Sequence, residues 1–338
     1  MIGLDTVEAF AAALRDLPQP DPAAVQAAAA RQAELTKPAG SLGRLETIAL
    51  FLAGWQGNAR PVLDRGRAVI FAGNHGVAAQ GVSAFPAEVT VQMVANFETG
   101  GAAINQLARH AGLELRIVAL DLDRPTADFT REPAMSEAEC RDALARGAAA
   151  VDAELDLLVV GEMGIANSTS AAALCARSFG GDARDWVGPG TGLDAAGQAR
   201  KAAVVERALA AHAAAPRDAF ETLRRLGGRE IAAIAGAVLA ARHLRVPVML
   251  DGFIACAALA PLFAQQPGIV GHCLAGHCSA EPGHRRLLER FGLDPLLRLD
   301  MRLGEGSGAA VAVSIVRAAL AAHNGMATFA EASVAGRL

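Results

Sequence analysis

The sequence has no tyrosine, two tryptophans and twelve phenylalanines in 338 residues, so aromatics make up only 4% of it and a surface for stacking nucleobases is not expected. Clustered charge is missing as well. The 31 Lys and Arg against 35 Asp and Glu leave a net charge of −4 without a basic patch, which gives no footing for nucleic acid. No run of about eighteen apolar residues exists to span a bilayer, and the nearest, Ile231 to Ala241, is too short. The opening Met1-Ile-Gly-Leu-Asp5 lacks the basic start and apolar core of a secretion signal. Five cysteines (Cys140, Cys175, Cys256, Cys273, Cys278) are odd in number and scattered, which argues for reduced thiols rather than a disulfide framework. The expectation is a soluble, cytoplasmic protein that acts on a small molecule.

Several signatures are also absent. No segment matches G-x-x-x-x-G-K-[ST], which argues against a nucleoside triphosphatase, and no G-x-G-x-x-G follows a strand, which weakens a dehydrogenase reading. Without a G-x-S-x-G elbow a serine hydrolase is not expected. His272, Cys273, His277 and Cys278 follow no zinc spacing, so no metal is expected there.

What is present is an α/β pattern. With 52% apolar residues and 20% charged ones, the chain can bury a large core. The first sixty residues read as helices: Asp5 to Leu17, a run starting at Pro20 to Pro22 and ending at Leu35, and Leu42 to Trp55. The breaker-rich Thr36 to Arg44 between the last two carries the cations Lys37 and Arg44. From residue 67 short apolar strands (Ala68–Ala72, Leu115–Leu120, Leu157–Val160, Val246–Leu250, Ile269–Leu274) alternate with helical runs (Ala87–His110, Ser168–Phe179, Ala195–Ala214, Glu230–Leu244, Ser307–His323). Strands apolar on both faces with helical crossovers imply a Rossmann-like parallel sheet with flanking helices. The termini, residues 1–60 with 310–338, are expected to form a small helical domain beside a large α/β domain, 61–309.

Three strand-to-helix turns are rich in glycine: FAGNHGV (Phe71 to Val77), VGEMGIANSTSAAA (Val160 to Ala173) and MRLGEGSGAA (Met301 to Ala310). Such turns let a backbone approach a ligand, and the following helix start favours an anion such as phosphate. Glu162 and Glu305, each set among glycines, would repel that anion unless they face a cationic or proton-donating part of the same ligand. Glu305 therefore reads either as a general base in an apolar pocket or as an acid complementing a helix start. Asn167 and Ser168 read as a helix cap or as part of the site, with Gly164 as a phosphate or ribose contact. Gly188 to Asp194, with Lys201 following, can cradle a phosphate. Asn74-His75 offers either an imidazole for catalysis or a hydrogen-bonded turn.

Read together, these segments resemble one family, the nicotinate-nucleotide:dimethylbenzimidazole phosphoribosyltransferases. The resemblance runs through LTKPAGSLGRLE (Leu35 to Glu46), Phe71 to Asn105, Gly161 to Ala173, Gly188 to Asp194, PVMLDGFI (Pro247 to Ile254), HCSAEPGH (His277 to His284) and Met301 to Ala310. It implies transfer of phosphoribose from nicotinate mononucleotide to 5,6-dimethylbenzimidazole, in two-domain homodimers that need no metal or cofactor. It further implies Glu305 as the catalytic glutamate, with Glu162 and Lys201 beside the reacting sugar and phosphate. Gly164, Gly190 and Ser279 fall at nucleotide-contacting positions, joined by Asn167 and Gly252, and Phe85, Met93, Leu303 and Gly304 fall at the base pocket. Asn74, Pro189 and Arg229 depart from the family's usual Asp, Arg and Phe.

Overall fold

The computed structural model describes residues 3–190 and 192–335. Thr191 of the 188–194 run and residues 336–338 of the expected small domain lie outside them. The chain starts with helices α1 (Val7–Arg15), α2 (Pro22–Glu34) and α3 (Arg44–Gln56). It continues through β1 (Gly66–Ala72), α4 (Glu88–Glu98), α5 (Ala103–Ala111), β2 (Leu113–Ala119), α6 (Glu137–Ala148), β3 (Leu157–Met163) and α7 (Asn167–Phe179). Then come α8 (Ala195–Ala211), α9 (Ala219–Leu226), α10 (Arg229–Leu244), β4 (Val248–Leu250), α11 (Phe253–Ala257) and α12 (Ala260–Gln265). β5 (Cys273–Ala275), α13 (Pro282–Phe291) and α14 (Ser307–Gly325) complete it.

The five strands form one parallel sheet in the order β2-β1-β3-β4-β5. β3, LLVVGEM, is buried along nearly its whole length, as a central strand covered on both faces must be. One face is covered by a core that includes Leu144, Leu174, Val238 and Phe253, the other by a core that includes Leu52, Ile104, Val313 and Val316. In a sheet of this order the chain direction reverses its sense of winding between β1 and β3, and a crevice opens at the carboxyl ends of the strands. The segments after β1, β3, β4 and β5 all emerge at that crevice.

Two sequence expectations change, and helices α6, α9, α11, α12 and α13 lie where none was expected. The helix expected over Ala87–His110 is two, α4 and α5, because Gly100-Gly101 breaks it, Gly100 at φ +83°, and Asn105 accepts from the backbone N–H of Ala102 to start the second. The strand expected over Ile269–Leu274 is strand only from Cys273; Pro267 opens a 3₁₀ turn that runs to His272. Helix α6, not anticipated, is announced by a capping box in which Ser136 and Glu139 each satisfy the other's backbone N–H.

The terminal helices divide their contacts. α2 packs on α3 and α3 on α14, and Arg31 of α2 donates to the carbonyls of His323, Asn324 and Met326 at the end of α14. α1 packs instead on α9 and α10.

Candidate active site

At the crevice lies a pocket holding about 830 Å³ of empty space, part of it open to solvent. Its wall takes Glu162, Gly164 and Asn167 from the β3–α7 turn, Pro189 and Gly190 from the next loop, and Lys201 from α8. Gly252, Ser279, Leu303 and Gly304 close the other side. The fold therefore brings together most of the residues singled out from the sequence. Phe85, Met93 and Glu305 are not in its wall: Phe85 is 48% exposed, Met93 packs against the hydrophobic core and Glu305 lies just behind Gly304, while Val82 and Ser83, from the same segment as Phe85, do reach the pocket.

Glu305 stands immediately behind Gly304, 5% exposed. Its turn is unusual: Gly304, Glu305 and Gly306 all have positive φ, at +84°, +63° and +76°. A glutamate held in the left-handed region costs of order 1–3 kcal/mol, which the surroundings must offset. They do so by close packing and by hydrogen bonds. A Cβ added to Gly161 of β3 would come within 2.5 Å of the Gly306 nitrogen and 2.7 Å of the Glu305 carbonyl carbon, so glycine at 161 is what lets the turn lie directly on the strand. Asp251, at the end of β4 and 1% exposed, accepts from the N–H of Gly306 at 3.1 Å and of Ala309 at 2.9 Å, pinning the turn and capping α14.

Glu162 reaches the turn that carries Glu305. A Cβ on Gly304 would lie 2.5 Å from Glu162 Oε1. Burial pushes Glu305 up to about 7, with the Asp251 carboxylate adding to the rise. Burial likewise pushes Glu162 up to about 8, helped by Glu230, Asp251 and Glu305 and opposed by the hydrogen bond it accepts from the Asn167 amide. With pKa values raised to about 7 and about 8, each carboxyl keeps part of its proton near neutral pH.

Asn167 thus serves Glu162 rather than capping α7. The residue ahead of the helix is Ala166 at φ +76°, with no side-chain cap. Lys201 is 1% exposed, and its ammonium donates to Ser168 Oγ at 3.0 Å and the Gly188 carbonyl at 3.3 Å; burial lowers its pKa. Its hydrogen bonds go to neutral oxygens and, among the described residues, the one charge acting on it is the Glu281 carboxylate, so the cation can pair with an incoming anion.

His75 does not face the pocket. Its ring is buried between Glu230 Oε1 at 2.6 Å and Ser170 Oγ at 3.2 Å, so the hydrogen-bonded turn is the reading realised. Lys37 pairs with Glu46 at 2.8 Å and Arg44 with Asp294, which makes the loop between α2 and α3 a structural joint. His272 bonds to the Val238 carbonyl, and no cluster of three or more His, Cys, Asp or Glu among the described residues is suited to hold a metal. Of the departures, Asn74 donates to the Leu122 carbonyl and Arg229 pairs with Glu139 and the Arg124 carbonyl, both away from the pocket. Pro189 lines it, and there Arg302 donates to the Gly190 carbonyl at 3.3 Å. Asp251, Glu281 and Arg302 were not singled out from sequence. The acid at the end of the apolar run PVMLDG was the available signal for the first.

A family model described as phosphoribosyltransferase matches residues 17–334. The nicotinate-nucleotide–dimethylbenzimidazole phosphoribosyltransferase of Novosphingobium aromaticivorans is 71% identical over 333 residues, covering 98% of each chain. The one from Rhodobacter capsulatus is 59% identical over 318 residues, covering 94% of this chain and 95% of its own. A crystal structure of the corresponding enzyme from Thermus thermophilus superposes with a TM-score of 0.86 at 41% identity, covering 94% of this chain and all of that one. Likeness of this extent, with the pocket formed where the matching motifs meet, shows that the chain belongs to the nicotinate-nucleotide–dimethylbenzimidazole phosphoribosyltransferase family.

Proposed function

We propose that the protein transfers phosphoribose from nicotinate mononucleotide to 5,6-dimethylbenzimidazole, releasing nicotinate and forming α-ribazole 5′-phosphate for the lower ligand of cobalamin. The observation that carries the reading is Glu305, a buried carboxylate with its pKa raised to about 7, placed directly behind Gly304 in the wall of a pocket that also holds Glu162 and a buried lysine. A base poised near neutrality is what proton removal from a weakly acidic heterocycle needs.

In nicotinate mononucleotide the pyridinium nitrogen is already positive. Its bond to C1′ breaks with the electron pair going to the ring, so nicotinate leaves without an acid to protonate it. One nitrogen of the benzimidazole forms the new bond to C1′ from the opposite face, and its N–H proton passes to Glu305. Single displacement turns a β-glycoside into an α one. The positive pyridinium ring of the bound nucleotide favours ionised carboxylates near it, and Glu162 then faces the positive charge that develops on the sugar. Holding the two rings in line supplies much of the remaining acceleration.

In this reading Lys201 and Gly190 take the phosphate, and Gly164, Asn167, Gly252 and Ser279 line the nucleotide. Leu303 and Gly304 border the incoming base. Phe85 and Met93 join them only by inward movement of α4 and the segment before it. No metal or cofactor takes part. We further place the protein in the cytoplasm as a homodimer, with residues 1–60 and 310–338 as a small unit beside 61–309. The packing of α2 on α3 and of α3 on α14 supports a unit of the two termini, while α14 also packs on α5, β3 and β4, and α1 on α9 and α10, of the large unit.

The test is direct. Purified protein is incubated with nicotinate mononucleotide and a panel of benzimidazoles, purines and phenols, and the products are identified by mass and anomeric configuration. Release of nicotinate with a ribosylated base of the α configuration is the expected result; NAD binding with no transfer would sink it.

A further inference from the structure

Among the described residues, Glu281 is the one carboxylate lining the pocket that the proposed chemistry leaves unused. It sits between Ser279 and α13, 7% exposed, and its Oε1 accepts from the Gly190 N–H at 2.8 Å. Its Oε2 lies against Gly188, where an added Cβ would collide with it, so the carboxylate is built into the glycine-rich loop from both sides. The charged groups that face it are Lys201 from α8 and Arg302 from the segment before the Glu305 turn; both lower its pKa, yet burial dominates and raises it.

This is an awkward neighbour for a phosphate. The N–H and the cation that an incoming dianion needs are the same groups that Glu281 already holds or balances. Two anions cannot share them without a proton between them.

Resting on the reading that the nucleotide's phosphate lies at Lys201 and Gly190, we propose that Glu281 is a resident anion that holds the empty phosphate subsite and takes up one proton when the phosphate enters. Protonated, it turns from a repelling acceptor into a donor to a phosphate oxygen. Selectivity follows from this device. A phosphorylated ligand is admitted together with a proton, and the loop keeps its shape in either state because something always satisfies Gly190.

The sign is fixed by this linkage. Glu281 is ionised in the empty site above its own raised pKa, and the bound dianion raises that pKa further. Affinity for nicotinate mononucleotide therefore falls with rising pH by up to about tenfold per unit, in a window that opens above the phosphate's own second pKa of about 6. Glu162 and Glu305 titrate in the same range, so the comparison of ligands and variants, not absolute uptake, carries the test.

The experiment is calorimetry at pH 8 in buffers of different ionisation enthalpy, which counts protons taken up on binding. With the wild-type protein, nicotinate mononucleotide should take up about one proton more than nicotinate riboside, which has the same ring and sugar without phosphate. In Glu281→Gln that difference should vanish, and binding of the mononucleotide at pH 8 should be at least as tight as in wild type. Equal uptake for the two ligands in wild type overturns the proposal without calling on the variant. So does an unchanged difference in Glu281→Gln. Failure of the wild-type protein to bind nicotinate mononucleotide at all would remove the phosphoribosyl reading, and this proposal with it, whereas loss of binding in Glu281→Gln alone would overturn this proposal only.

Discussion

Replacing Glu305 by Gln keeps the volume of the side chain and removes only its ability to accept a proton. The turn it occupies is pinned by Asp251 and by close packing on Gly161, neither of which involves the carboxylate, so the backbone should hold its place. General-base catalysis contributes about 10²–10⁴ in rate, hence kcat should fall by that factor, equivalent to about 3–5 kcal/mol of barrier. Binding of nicotinate mononucleotide should change by less than about threefold, because the proton is removed from the other substrate. Stability runs the opposite way. A carboxylate whose folded pKa is raised from 4.5 to about 7 makes the folded state bind protons more tightly than the unfolded one between those values, so wild-type stability declines as pH rises through that window. The decline from this group is of order 2 kcal/mol after allowance for partial solvation, and Glu305→Gln should lack it. Single-turnover kinetics and thermal melts at pH 5 and pH 8 measure both effects. Turnover within about threefold of wild type would remove the base assignment, and a large loss of stability at pH 8 would show that the carboxylate holds the turn together.

Gly161→Ala should push the Glu305 turn off β3, since the new methyl would meet backbone atoms at 2.5 Å and 2.7 Å; kcat should drop at least about tenfold with a melting shift equivalent to about 1–3 kcal/mol, and normal turnover would refute the packing argument. Lys201→Ala removes a buried ammonium that faces the pocket and should raise KM for nicotinate mononucleotide by about 10–100-fold with a smaller change in kcat, whereas an unchanged KM would place the phosphate elsewhere. Asp251→Asn takes away a negative charge that raises the Glu305 pKa, so the acid limb of the pH–rate profile should move to lower pH, with an unmoved limb contradicting the electrostatic account.

Much of this was legible because the decisive residues sit in short contiguous motifs at strand ends. Glycines around Glu162 and Glu305 announced backbone geometry that other residues reject, and β1 and β3 betrayed their central position by unbroken apolar runs. What stayed hidden depends on contacts between distant segments. Glu281 is an ordinary acid before a proline until the fold sets it on Gly190, 91 positions away, and Asp251 acquires its role only from the N–H groups of Gly306 and Ala309 at the start of α14. Helix α6 was masked by its charges, although its capping box was there to be read. The single helix expected over Ala87–His110 failed because periodicity was followed through a pair of glycines that outweighed it. Phe85 and Met93 illustrate the converse: matching a motif does not bring a side chain to a pocket wall, since the exposure of one and the core packing of the other are set by the segment that carries them.

The most direct test of the central claim is a crystal structure with nicotinate mononucleotide and 5,6-dimethylbenzimidazole bound together in the Glu305→Gln protein. The side chain at 305 should lie within hydrogen-bond reach, about 2.6–3.2 Å, of one ring nitrogen of the base, with the other nitrogen aimed at C1′ from the face opposite the nicotinate. A base seated away from residue 305, or on the same face of the ribose as the leaving ring, would contradict it.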